Sequence, residues 1–242
     1  PFTFNAVRFF VGFLAILPLV FLFEIKKFKS EFNLDIKTFV SLSALFGISL
    51  FLGSALQQVA LLHTDVANAA FFTIFYVPMV PIIIFLFKKK SIHWSVWPSV
   101  VLCLIGGYLL TNFYDATVRL GDSLVLLGAF FWSTHIIFTG MIVVRYNLPL
   151  TIGALQTLIV AVFSFIIGSI YEEFILNNIL KEIDSILYAG ILSGGFAFVL
   201  QIYAQRRIAP APAAIIFSLE GVFATIAAWF LLNQILDINN IF

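Results

Sequence analysis

The chain has 242 residues, of which 62% are hydrophobic and 10% charged, with a formal net charge of +1. Soluble domains carry about 25% charged residues, so this composition, with a mean hydropathy of +1.10, excludes a water-soluble globular fold and indicates a multi-span integral membrane protein. The small net charge and the lack of a basic, aromatic-interleaved stripe argue against nucleic-acid binding, and the single Cys103 offers neither a disulfide framework nor a cysteine metal site.

Crossing the hydrocarbon core takes about 20 apolar residues in a helix, and only helices or closed barrels satisfy every backbone group in lipid. Eight apolar runs meet that length: 2–23, 39–62, 66–87, 94–113, 123–144, 150–170, 186–205 and 210–232. They are continuous rather than alternating, so they read as helices. In the third run Pro78 and Pro81 remove N–H donors near the middle, which predicts a kink and a flexing point. In the eighth, Pro210 and Pro212 fall in the first turn, where proline costs little.

The connections alternate in charge. Lys26, Lys27, Lys29 and Lys37, then Lys88, Lys89 and Lys90, then Arg145, then Arg206 and Arg207 share one side, ten cations against Arg119 and Lys181 on the other. The positive-inside bias makes that side cytoplasmic.

The chain also repeats itself. Leu56-Gln57-Gln58-Val59-Ala60 returns 144 positions later as Leu200-Gln201-Ile202-Tyr203-Ala204, and the alanines after each turn (Ala67, Ala69, Ala70; Ala211, Ala213, Ala214) return with it. Pro1-Phe2-Thr3-Phe4-Asn5-Ala6 is echoed 148 positions on by Pro149-Leu150-Thr151-Ile152-Gly153-Ala154. Gln57 lies on the second run and Gln201 on the seventh. Five spans per unit, an odd number, force the copies into opposite orientations. Inverted repeats are typical of secondary transporters, whose sites lie near the midplane between the copies. The expectation is an all-α fold of two inverted five-helix units, 1–120 and 121–242, in one transmembrane domain. Ten helices are then expected, with the first and last of them missing from the eight visible here.

Within the spans only Arg8 and Glu220 carry formal charge. An intramembrane acid is a functional-site hypothesis by default. Glu220 is therefore a candidate for substrate contact or proton coupling; the bland alternative is a neutral carboxyl bonding a neighbouring helix. Its repeat partner is Tyr76. Arg8 is shallower and suits a structural or gating role, with its head reaching outward. Trp132, His135 and Thr139 share a helix face, as do Asn68, Phe72 and Tyr76. Each stripe reads either as cavity lining or as packing. Gln57 and Gln201 suit a site on the pseudo-two-fold axis, or plain hydrogen-bond glue between helices.

Taken in order, Pro1 to Arg8, the Gln57 to Tyr76 stretch, Gly121-Asp122-Ser123-Leu124 through Trp132, and Gln201 to Glu220 resemble the drug/metabolite transporter superfamily, specifically EamA-type permeases. The resemblance covers nearly the whole chain. It implies alternating-access transport of small metabolites, such as amino acids or amphipathic compounds, across the inner or plasma membrane. It departs from the family pattern at Gly221, where proline is usual, and at Asn233-Gln234. No cofactor or metal is expected. The expected partners are a small-molecule substrate and membrane lipid, with the protein a monomer or homodimer. The competing class is a non-transporting scaffold or an intramembrane enzyme; Ser193-Gly194 lacks the full serine-protease signature, and no His-Glu-x-x-His occurs.

Overall fold

The computed structural model describes residues 1–32, 35–64, 66–89, 92–110, 119–220 and 222–223, and everything regular among them is helical. The helices are α1 (Phe2–Leu19), α2 (Ile25–Phe32), α3 (Ile36–Ala60), α4 (Val66–Thr73), α5 (Tyr76–Lys88), α6 (Val96–Leu110) and α7 (Leu120–Tyr146). After them come α8 (Pro149–Tyr171), α9 (Leu176–Lys181), α10 (Ile183–Leu187), α11 (Phe198–Ala204) and α12 (Pro210–Phe217). Two π-helical segments, π1 (Val20–Glu24) and π2 (Tyr188–Ala197), are built into the longer runs.

Among the described residues six helical stretches are long and apolar enough to cross a membrane: Phe2–Phe28, Ile36–Ala60, Asn68–Phe87, Leu120–Tyr146, Pro149–Tyr171 and Ile183–Ala204. They match six of the eight expected runs, with ends that differ from the expected ones by up to five residues in either direction. The fourth run is the shorter apolar helix Val96–Leu109, and its expected end, 111–113, lies outside the described residues. The eighth begins at Pro210 as expected, and 224–232 lie outside them.

The chain divides into two compact units, Pro1–Ala55 with Ile137–Ala209, and Leu56–Ile136 with Pro210–Phe242. Each draws helices from both sequence halves.

In the first unit α1 packs along α8 and against π2. Two carboxylates fix the α1–α8 pair. Glu24, at the end of π1, accepts the N–H groups of Leu150 (3.1 Å) and Thr151 (2.8 Å) and the Thr151 hydroxyl (2.8 Å). Glu172, just past α8, accepts the N–H groups of Phe2 (2.9 Å) and Thr3 (2.8 Å) and the Thr3 hydroxyl (2.7 Å). Each satisfies N–H groups that a helix start leaves without an intrahelical partner and puts negative charge at the positive end of the dipole. Because the C-terminal end of each helix meets the N-terminal end of the other, α1 and α8 run antiparallel.

Glycine sets how closely the next layer approaches. A β-carbon on Gly190 would lie 2.6 Å from the Arg8 carbonyl oxygen, and one on Gly12 2.8 Å from the Gly190 carbonyl oxygen. Small residues permit such backbone contact between membrane helices. The rest of this core is apolar: Phe46, Ile142, Leu148, Ile152 and Ile202 are fully buried, with Phe39 edge-on to Tyr146 at 4.9 Å. Outside the bilayer span Asp35 accepts the Thr38 N–H and pairs with Arg145 at 2.5 Å. The hydrogen bonds from Thr38 hold its carboxyl below the usual range, Arg145 adding to them against a smaller opposing effect of burial.

In the second unit Ala60, Ala69 and Val125 form a small-residue core with Phe72 and Leu124 against it. A β-carbon on Gly121 would sit 2.7 Å from the Ala60 carbonyl oxygen, so α7 starts in contact with the end of α3. The Thr64 hydroxyl donates to buried Asp122, whose second oxygen accepts the Arg119 N–H at 2.8 Å.

Candidate functional site

The third expected span is broken, not merely bent. α4 stops at Thr73, a turn occupies Ile74 and Phe75, and α5 resumes at Tyr76. Proline clashes with the carbonyl four residues back; for Pro78 that residue is Ile74, where the helix opens. Tighter bonds replace the lost one, Phe75 N–H to Phe72 carbonyl at 3.3 Å and Val77 N–H to Ile74 carbonyl at 2.9 Å. Pro81 is carried inside α5.

The same break recurs 144 positions later. α12 has the same length as α4, eight residues, stops at Phe217, turns at Ser218 and Leu219, and is helical again at Glu220. The Leu219 N–H bonds the Ile216 carbonyl at 3.2 Å, the counterpart of Phe75 to Phe72. The turns before these helices also correspond bond for bond. His63 N–H to Ala60 carbonyl (2.8 Å) matches Arg207 to Ala204 (3.0 Å), and Leu62 to Val59 (3.1 Å) matches Arg206 to Tyr203 (3.3 Å).

Seven of the nine expected site residues belong to the second unit: Gln57, Asn68, Phe72, Tyr76, Trp132, His135 and Glu220. Several are brought together. The Gln57 amide donates to the Thr73 hydroxyl at 3.2 Å, which itself donates to the Ala69 carbonyl at 2.7 Å. That ties the end of α3 to the last turn of α4, just before the break. Phe72 stacks on Phe75 across the turn, centroids 6.0 Å apart. The Tyr76 carbonyl accepts the Ser133 hydroxyl of α7 at 3.3 Å. Trp132 and His135, on that part of α7, meet edge to face at 6.1 Å, and His135 is fully buried. Asn68 is buried on α4. Tyr76 is 5% exposed, and among the described residues its hydroxyl meets no hydrogen-bond partner. Glu220, the residue after the second break, is exposed. The first residues beyond the two helix breaks are thus a phenol and a carboxyl, Tyr76 and Glu220.

Thr139 and Gln201 belong to the first unit. Thr139 is fully buried further along α7, and Gln201 is half-buried on α11. Arg8, in the same unit, holds its guanidinium carbon 4.8 Å from the Phe9 ring centroid and 5.4 Å from that of Phe4, a cation–π setting for an arginine on an apolar helix.

Broken helices and a buried polar cluster on an otherwise apolar chain are parts of a membrane carrier. The EamA-like transporter family matches residues 1–112 and 119–242. The chain belongs to that family. This EamA-like transporter is also similar to an uncharacterized transporter of Archaeoglobus fulgidus, 30% identical over 241 residues, which covers 98% of this chain and 70% of the relative. A solved crystal structure shares its fold with a TM-score of 0.79 at 14% identity, over 100% of this chain and 83% of the other.

Two polar partners in this cluster were not anticipated from the transporter's sequence. Thr73 accepts the Gln57 amide and donates to the Ala69 carbonyl, and Ser133 donates to the Tyr76 carbonyl; only the pairing of helices shows them. In the first unit, Asn5, within the first echoed motif, is fully buried with both amide atoms lacking a partner among the described residues.

Proposed function

We infer that the protein is a secondary transporter of the inner or plasma membrane, moving a small metabolite by alternating access through two inverted five-helix units, residues 1–120 and 121–242. The observation that carries this reading is the pair of helix breaks at 74–75 and 218–219, which stand at the same repeat position and are each followed by a polar residue, Tyr76 and Glu220. Broken helices expose unpaired backbone groups and dipole ends where a carrier binds its cargo. The reciprocal clasps of Glu24 and Glu172 support the inversion, since echoed segments begin two antiparallel helices. The split of the family match near residue 120 supports the boundary.

In this reading Gln57, Asn68, Phe72, Tyr76, Trp132, His135, Thr139, Gln201 and Glu220 line the substrate path, and the break governed by Pro78 and Pro81 flexes during transport. Glu220 is the coupling group. Its carboxyl binds a proton on one side of the membrane and releases it on the other, while the aromatic side chains hold an amphipathic substrate such as an amino acid.

Metabolite profiling of cells with and without the full-length protein identifies the cargo; no difference in any small metabolite contradicts the transport reading. In proteoliposomes loaded with that cargo, flux is expected to follow an imposed pH gradient. Glu220→Gln is expected to lose the gradient-driven rate, since it removes the titrating group that marks an intramembrane proton relay, while exchange at equal pH persists. Unchanged gradient dependence in the variant removes Glu220 from coupling.

A further inference from the structure

At the end of the first unit that carries Lys27 and Arg206, a cleft of about 340 Å³ opens where π1, the start of α8 and the end of α11 converge. Its wall is apolar, from Phe23, Leu150 and Val199, and Lys27, Tyr203 and Arg206 complete it. Lys27 reaches across to the Asn147 carbonyl at 2.8 Å, which holds its ammonium over the cleft. Arg206 holds its guanidinium carbon over the Tyr203 ring, 4.8 Å from its centroid, and among the described residues no carboxylate pairs with it. Lys26 and Arg207 follow on the same end, both exposed. Among the described residues Glu24 is the only acid lining the cleft, and its two oxygens are already taken by the three donors at the start of α8.

We propose that this cleft is a binding site for an anionic glycerophospholipid of the Lys/Arg-rich leaflet, with the phosphate between Lys27 and Arg206 and the first part of a hydrocarbon chain along Phe23, Leu150 and Val199. Charge complementarity selects the head group, because two cations converge around a carboxylate that is already spent. The apolar wall selects a lipid over a free phosphate ester. It is continuous with Phe21, Leu22 and Phe23, which are 58%, 73% and 74% exposed and face where lipid lies. The depth fits as well: spanning apolar segments end here and basic side chains begin, which is head-group level, and basic pockets between membrane helices on this side hold anionic head groups. The site is separate from the polar cluster of the second unit and does not depend on the transport reading.

The test is native mass spectrometry of the purified protein after equilibration with equal amounts of phosphatidylglycerol and phosphatidylcholine. The wild type is expected to retain phosphatidylglycerol preferentially, and Arg206→Gln to cut that preference roughly fivefold, the weight of about one cation near a charged membrane surface. Arg206→Lys keeps most of the preference. Arg145→Gln, a basic residue at the same end engaged with Asp35, leaves it unchanged. Lys27→Gln carries the same expectation as Arg206→Gln and decides the matter if that variant does not fold. Equal retention of the two lipids by the wild type, or equal preference in wild type and both neutral variants, overturns the proposal. Displacement of the bound lipid by glycerol 3-phosphate, lost in Arg206→Gln, also overturns it, in favour of a soluble phosphate ester.

Discussion

Gly190→Val is expected to cost the folded protein about 3 kcal/mol, at the upper end of the usual overpacking range. A β-carbon there would meet the Arg8 carbonyl oxygen at 2.6 Å and the Val11 side chain at 2.9 Å. Overpacking is relieved when a flexible side chain can swing away; here the nearest obstacle is the backbone of α1, which is itself clasped to α8. The only relief is to separate π2 from α1, which opens a seam along much of the first unit. Gly12→Val attacks the same seam from the other side and is expected to behave alike. Gly106 is the control, since nothing lies within 4 Å of a β-carbon built there, and Gly106→Val is expected to be nearly neutral. Thermal unfolding in detergent, followed by size-exclusion recovery, reads all three. Wild-type melting of Gly190→Val, or an equal loss in Gly106→Val, contradicts the close backbone contact.

Glu24→Ala is expected to be almost as damaging. It strips the start of α8 of its acceptor and leaves the Leu150 and Thr151 N–H groups and the Thr151 hydroxyl unsatisfied where Glu24 was buried. An unsatisfied buried donor costs about 1–3 kcal/mol, and partial relaxation toward other acceptors brings the expected total to about 3 kcal/mol. Glu24→Gln keeps one strong acceptor and loses the charge, so it falls between. Glu172→Ala removes the equivalent clasp from a more exposed place and is expected to cost less. The ranking Glu24→Ala, Glu24→Gln, wild type in melting temperature checks this. A melting temperature for Glu24→Ala equal to that of the wild type contradicts the clasp.

The spans were legible because hydropathy reports directly on what lipid demands of a helix, and Pro78 and Pro81 marked the third run for a kink near its middle, where the structure breaks at Ile74 and Phe75. The repeat was legible at Gln57 and Gln201, and the structure extends it from residue identity to matching turns, hydrogen bonds and breaks. The clasps were hidden, because Glu24 and Glu172 act on residues 126 and 170 positions away in sequence, and a lone carboxylate at a helix end looks like any interfacial charge. The π segments were hidden for a different reason: their side chains are as apolar as those of an α-helix, and a change of hydrogen-bond register leaves composition untouched. The candidate residues stood out as polar groups on apolar helices, but their neighbours did not. Ser133 and Thr73 look like ordinary small residues until α7 is set beside Tyr76 and α3 beside α4.

The central claim, that the echoed segments are upside-down copies in the membrane, is tested most directly by side-specific labelling. In the full-length protein with Cys103→Ser, a single cysteine is placed at either of two equivalent exposed turns, His63→Cys or Arg207→Cys. Intact cells are then treated with a membrane-impermeant maleimide. Opposite orientation predicts that His63→Cys reacts from outside and that Arg207→Cys reacts only after permeabilisation. Labelling of both positions from the same side contradicts the inversion.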